Sequence, residues 1–193
     1  MTTEITIRPL EPTTRMKVCV TFMQMGAPPT GPALPLPDGW SLRLIKPSVT
    51  YYRYLQDHVG RAYCWWMRQA STDAILAGIL HNPAVQIGLL MQDETPYGFF
   101  EFDLIAPQDI NLSYFGLFPE AVGKGIGRAF LDAVVRLAWS YGPTTLRVNT
   151  CTADHPRALP FYQQAGFVTV KEVEEVWDVP QRLGLSIPER FLA

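Results

Sequence analysis

Cysteine is scarce in this chain of 193 residues, which has three in all: Cys19, Cys64 and Cys151, far apart in the sequence. An odd number without a CxxC pair excludes a disulfide framework. No cysteine clusters with His58, His81 or His155 at zinc-ligand spacing, so no metal is expected. Charge is sparse too, at 18% of residues, with 16 Lys and Arg against 18 Asp and Glu and a net charge of −2. Such a balance excludes bulk electrostatic attraction to nucleic acid or to an anionic membrane. No apolar run approaches the roughly 18 residues that a membrane span needs. The N-terminus, Met-Thr-Thr-Glu-Ile-Thr, has neither the basic nor the apolar region of an export signal. The expectation is a cytoplasmic protein with reduced thiols. A hydrophobic share of 48% excludes the signature of disorder, and residues 1–193 fit one domain with a core of its own.

Apolar periodicity divides the chain. Met16 to Met25 alternates like a strand. Residues 27–39 (APPTGPALPLPDG) contain prolines that remove backbone donors, which predicts a surface loop or extended arm. Trp40 to Ile45 is a further strand. Ser48 to Gln69 is helical and heavily aromatic, broken near Gly60, and Ser71-Thr72-Asp73 caps a helix that runs to about Leu80. Three apolar runs follow, Val85 to Met91, Tyr97 to Ala106 and Asn111 to Phe118, joined by short turns that suit antiparallel neighbours. After Pro119 the pattern changes. Residues 124–141 predict a helix with Ile126, Phe130, Ala133, Val134, Leu137 and Tyr141 on one face and an Asp132–Arg136 pair outside. A strand at 145–150, a helix at 156–165 and a strand from Phe167 towards Trp177 complete the order. The fold class is therefore α/β with a mixed sheet, an antiparallel meander followed by β-α-β-α-β.

The chemistry begins at Gly123-Lys124-Gly125-Ile126-Gly127-Arg128, between the third run and the amphipathic helix. Glycines permit a sharp turn and close approach to the backbone. The helix start offers unpaired N–H groups and positive potential, to which Lys124 and Arg128 add charge, so a phosphate or pyrophosphate is the natural ligand. A Walker A loop is excluded because Lys124 is followed by glycine. A Rossmann fingerprint needs different spacing and a carboxylate after the next strand, where Leu146-Arg147-Val148-Asn149 has none. A purely structural turn is the remaining alternative.

The segment resembles the coenzyme A pyrophosphate loop of the GNAT (Gcn5-related N-acetyltransferase) superfamily. Gly125 and Gly127 fall on its two small positions, and Val122 stands where the family has Gln or Arg. The run Ala158-Leu159-Pro160-Phe161-Tyr162-Gln163-Gln164-Ala165-Gly166-Phe167 resembles the second GNAT signature, at the usual distance from the first, with His155 in place of the family's Asn. The stretches 114–120, 149–156, Tyr51 to Leu55 and Trp65-Trp66 resemble a bacterial branch of the family.

The resemblance implies a GNAT-like acyl-CoA N-acyltransferase fold with a splayed central cleft. It implies acetyl-CoA (coenzyme A) as co-substrate and direct attack of a primary amine on the thioester in a ternary complex. A GNAT-fold module that binds acyl-CoA without chemistry is the alternative. The resemblance further implies that the edge at Gly116, Leu117 and Phe118 pairs with pantetheine and that Tyr162 serves the departing thiolate, against a packed aromatic as its plainer reading. Glu101 and Asp103 share a strand face amid phenylalanines, where burial raises a carboxylate's pKa. Glu101 is taken as the base. Tyr51, Trp65, Trp66 and His155 are assigned to the acceptor site, with aromatic core packing and a helix start as the alternatives. Aromatic helices and near-neutral charge point to a small-molecule acceptor. Many family members are dimers, and the arm at 27–39 and the tail at 181–193 are the segments available for that.

Overall fold

The computed structural model describes residues 11–106 and 108–193. The N-terminal export reading and Pro107 of the turn before the third apolar run lie outside them. The strands are β1 (Thr13–Met25), β2 (Trp40–Ile45), β3 (Val85–Gln92), β4 (Thr95–Ala106), β5 (Asp109–Leu117), β6 (Thr145–Cys151) and β7 (Val168–Pro180). The helices are α1 (Val49–Gly60), α2 (Met67–Ala70), α3 (Asp73–His81), α4 (Gly127–Ser140) and α5 (Ala158–Gln164). Capping fixes the helix starts. The Ser48 hydroxyl accepts from the Tyr51 amide at 3.2 Å, and the Thr72 hydroxyl accepts from Ile75 at 3.3 Å, satisfying donors that a helix leaves free. No helix among the described residues is long and apolar enough to cross a membrane.

The seven strands form one sheet in the order β2-β3-β4-β5-β6-β1-β7. The meander β2 to β5 is antiparallel throughout, as its short connections require. β5 and β6 are parallel, joined through α4. The position of β1 is not readable from strand periodicity. It lies between β6 and β7, antiparallel to both, and its register with β7 runs from Thr13–Pro180 to Gln24–Val168.

Alternate residues of the meander bury into different layers. Phe100 and Phe102 meet α4 through Phe130, Leu131 and Val134 on one face. Phe99 on the other face meets Tyr52 and Leu55 of α1 and Leu76 of α3. A sheet covered on both faces explains why these strands read as near-continuous apolar runs. A third cluster joins Met16, Val18 and Val20 of β1 to Trp66, Ala70 and the tail residue Phe191.

Three expectations change in detail. The buried stripe of α4 is Phe130, Leu131, Val134, Val135 and Ala138. Tyr141, 41% exposed, caps the helix instead of joining that stripe. The arm at 27–39 is irregular as expected, but it is fastened to α4. Leu34 N–H donates to Asp132 Oδ2 at 2.9 Å, and Arg136 donates to the Gly31 carbonyl at 2.8 Å, so the Asp132–Arg136 pair also holds the arm. The tail folds back on its own chain, with Leu192 bridging Met16 and Arg182 donating to the Ala70 carbonyl.

Because β1 supplies partners to two strands and residues to two apolar clusters, deleting residues 1–25 is expected to abolish cooperative unfolding. Urea titration followed by tryptophan fluorescence checks this. A deletion variant with a sigmoidal transition near the full-length midpoint would contradict the assignment.

Candidate active site

β5 and β6 pair only from Asp109–Thr145 to Leu112–Val148. Beyond Leu112 the β4–β5 register skips Ser113, pairing Glu101 with Tyr114 and Phe102 with Leu112. An extra residue of this kind bends a strand and ends pairing. The two strands diverge from there, leaving the backbone of Ser113 to Leu117 without a β6 partner. A cavity of ≈ 1090 Å³ occupies the opening. It is lined on one side by Gly123, Gly125, Gly127 and Arg128 at the start of α4, and on the other by Trp65, Trp66 and Arg68 around α2.

The glycine segment forms the expected tight turn. Gly123 has φ +84° and Gly125 φ +81°, left-handed values that disfavour any side chain, and a Cβ on either would meet open space. The loop therefore presents bare backbone to the cavity. α4 begins at Gly127, later than the sequence suggests, and its first-turn N–H groups face the same turn with the positive end of the helix dipole. Arg128 lines the cavity, whereas Lys124 Nζ lies 5.4 Å from the centroid of the Tyr97 ring. Ile126 and Phe118 are buried in the core, so only their main chains are available to a ligand. Gly116 lines the cavity but also admits α1: a Cβ there would collide with Val59.

Tyr162 sits on the α5 wall, 7% exposed, its ring edge-on to Phe115 and Phe167 at 6.4 and 5.8 Å. Its hydroxyl makes no hydrogen bond within the described residues. Burial first, then the Asp154 charge, raise its pKa above the ordinary phenol value, so it remains a donor. Asp154 does not cap α5, as its place before Pro156 suggests. Its Oδ2 accepts from the Thr150 hydroxyl at 2.8 Å and the Cys151 amide at 2.9 Å, and its Oδ1 accepts from Trp65 Nε1 at 3.0 Å. That last bond crosses the opening, tying the α1–α2 segment to the turn after β6. His155 lines the cavity with Nδ1 accepting from the Arg157 amide at 3.1 Å. Cys151 also lines it, but burial and the Asp154 charge push its thiol up to about 12, unsuited to a nucleophile.

Glu101 departs furthest from expectation. It is fully buried and is not part of the cavity wall. One oxygen accepts from Arg68 Nη2 at 2.6 Å and the other from the Tyr52 hydroxyl, which accepts in turn from Gln56 at 2.8 Å. With both oxygens engaged, it is not an open proton acceptor for the cleft. Breaking such a pair from one side costs about 3–5 kcal/mol, which makes Glu101 the holder of Arg68. Burial opposes the Arg68 charge, yet Glu101 outweighs it and the guanidinium's pKa is raised. Tyr51 is likewise displaced from its expected role. It stacks on Tyr54 at 6.0 Å, outside the cavity wall.

Sequence reading missed Arg68, and it set Asp103 behind Glu101. Asp103 lines the cavity and has no hydrogen-bond or ion-pair partner within the described residues. The signal for Arg68 was an arginine inside the apolar run Trp65 to Ala70, where a charge demands a buried partner.

Residues 46–167, well over half of the chain, match the model of the Acetyltransferase (GNAT) family. No curated protein matches the chain. Among solved structures it is similar to a GCN5-related N-acetyltransferase from Sphaerobacter thermophilus, at 17% identity and TM-score 0.60, covering 88% of this chain and 53% of that one. It is also similar to a GCN5-related N-acetyltransferase from Kribbella flavida, at 16% identity and TM-score 0.58, covering 90% and 63%. An aminoglycoside N-acetyltransferase solved with CoA matches at 18% identity and TM-score 0.50, covering 69% and 91%. The chain thus spans less than two thirds of the length of the first two. The likeness of fold, the family match over 46–167 and the opening between β5 and β6 agree, and the chain belongs to the GNAT acetyltransferase family.

Proposed function

We propose that this chain transfers an acetyl group from acetyl-CoA to the primary amine of a small molecule, by direct attack with both substrates bound. The observation that carries this reading is the single cavity joining the glycine turn, Tyr162 and the aromatic chamber under α2 through the opening in the sheet. The turn fits a pyrophosphate because its backbone is bare, its glycines are left-handed and a helix starts at its end. A similar structure was solved with CoA, which supports the same ligand here.

Gly123, Gly125, Gly127 and Arg128 would hold the pyrophosphate, and the unpaired edge from Ser113 to Leu117 would take the pantetheine as an added strand does. The co-substrate supplies an activated acyl carbon on a thioester. Asp103 takes the proton of the incoming ammonium, directly or through water. The nitrogen then bonds to the acyl carbon as the carbon–sulfur bond breaks. Tyr162 donates its phenolic proton to the departing sulfur, which leaves as a thiol; the second amine proton passes through water to restore the phenol, and the proton on Asp103 is released to solvent. Holding both reactants in one cleft supplies the remainder of the rate.

Three measurements test this. A Cβ at Gly127 meets nothing closer than 3.5 Å, so Gly127→Asp is expected to fold normally, and the carboxylate at a helix start favours the helix. Acetyl-CoA affinity by isothermal titration should nevertheless fall about 100-fold, and unchanged affinity removes the turn from the site. Tyr162→Phe should lower kcat for thiol release about 10- to 100-fold with CoA affinity barely altered; full turnover would show that Tyr162 is only packing. Binding without thiol release from any amine would identify an acyl-CoA-binding module. For Asp103→Asn, kcat/KM for the acceptor should drop about 10-fold at neutral pH. The deficit should shrink towards pH 10, near an ordinary amine's pKa, because the acceptor then arrives already neutral. A deficit independent of pH assigns the proton elsewhere.

A further inference from the structure

We infer that Arg68 anchors a carboxylate on the acceptor, so that preferred acceptors are amines carrying an acid group and an apolar body, the chemistry of an apolar α-amino acid. This deepens the acetyl-transfer reading and rests on it for the site of the amine.

A guanidinium has five N–H donors. Glu101 takes one, through Nη2, and no other is engaged within the described residues. Nε is buried without a partner, a state that calls for an explanation in a folded protein. The group is also held still. Glu101 grips it from behind, the Tyr52 hydroxyl holds Glu101 and is itself held by Gln56, and the Tyr114 ring lies 5.6 Å beneath the guanidinium carbon. Arg68 is 13% exposed, and what it exposes lines the cavity. A planar, fixed guanidinium with donors to spare is suited to a carboxylate, whereas a lone ammonium has nothing to accept there.

The remainder of the chamber completes the match. Asp103 lies two residues from Glu101 on the same strand face, is unpaired within the described residues and also lines the cavity, so it suits the acceptor's ammonium. Phe22, Trp66 and Tyr114 supply aromatic wall for an apolar body. A positive anchor, a separate carboxylate and aromatic walls describe a zwitterion with a hydrophobic side chain better than a polycation.

The test uses two product-like probes that differ only in the acid, N-acetyl-L-phenylalanine and N-acetylphenethylamine. Their binding to the full chain is measured by isothermal titration, with and without saturating CoA. The wild type should bind the carboxylate probe about 10- to 100-fold more tightly, the range of a charge-assisted hydrogen-bonded pair. Arg68→Met alone strands the Glu101 charge and endangers the fold. The double variant Arg68→Met/Glu101→Gln removes both charges, leaves an amide for Tyr52, and should lose the preference. Glu101→Gln alone, which keeps Arg68 but loosens it, should retain part of the preference. Equal binding of the two probes, binding of neither, or a preference that survives in the double variant overturns the proposal. Because the readout needs no turnover, absent acetyl transfer with an Arg68-dependent preference would sink the catalytic reading alone. Equal kcat/KM for phenylalanine and phenethylamine would sink the carboxylate anchor and leave acetyl transfer intact.

Discussion

The interruption of hydrogen bonding between β5 and β6 is the constraint on which the rest of this structure depends. Four residue pairs hold the two strands together before the extra residue at Ser113 turns β5 away. A sheet with an unsatisfied edge in its middle is costly unless something covers that edge. Everything around the opening accommodates it. α4 and α5 pack on one face, α1 and α3 on the other, and the Trp65–Asp154 bond ties the two sides where the strands cannot. The unpaired backbone is at once the weakness of the sheet and the feature by which it can accept an extended ligand.

Charge is distributed in keeping with that division. The α4 side has backbone N–H groups, a helix start and Arg128, which suit phosphate. The α2 side has Arg68, neutralised from behind by Glu101, and Asp103, which has no partner within the described residues. Tyr162 stands between them, kept protonated by burial and by the Asp154 charge. Under the proposed reaction, two substrates of different charge would meet environments of different charge while sharing one passage through the sheet.

Most elements were legible because their periodicity and punctuation are strong. Ser48 and Thr72 mark helix starts where local chemistry decides, and the meander follows from short turns between apolar runs. Gly123 to Arg128 and Tyr162 were legible through family motifs and fall on the same cavity, except that Lys124 turns to Tyr97 and Ile126 to the core. Glu101 shows where such reading ends. Its burial follows from the surrounding phenylalanines, but the identity of its partner depends on Arg68, which precedes it by 33 residues on a helix packed across the sheet. A pairing made by tertiary packing leaves no local trace, and the same holds for Asp154, whose place before a helix suggests a cap while its oxygens serve Thr150, Cys151 and Trp65. The location of β1 is the largest gap, since alternation predicts a strand but not its neighbours.

That placement of β1 has a consequence in time. Its partners are the latest strands to be made, so Thr13 waits for Pro180, and Val20 for Cys151 and Val173. Contacts of such sequence separation form slowly, because the chain between them must be ordered before they repay its entropy. During synthesis at about 5–20 residues per second, β1 spends several seconds as an unpaired strand carrying Met16, Val18, Val20 and Met23. The strand that later joins β6 to β7 is, on the ribosome, an apolar segment in need of shielding from other nascent chains.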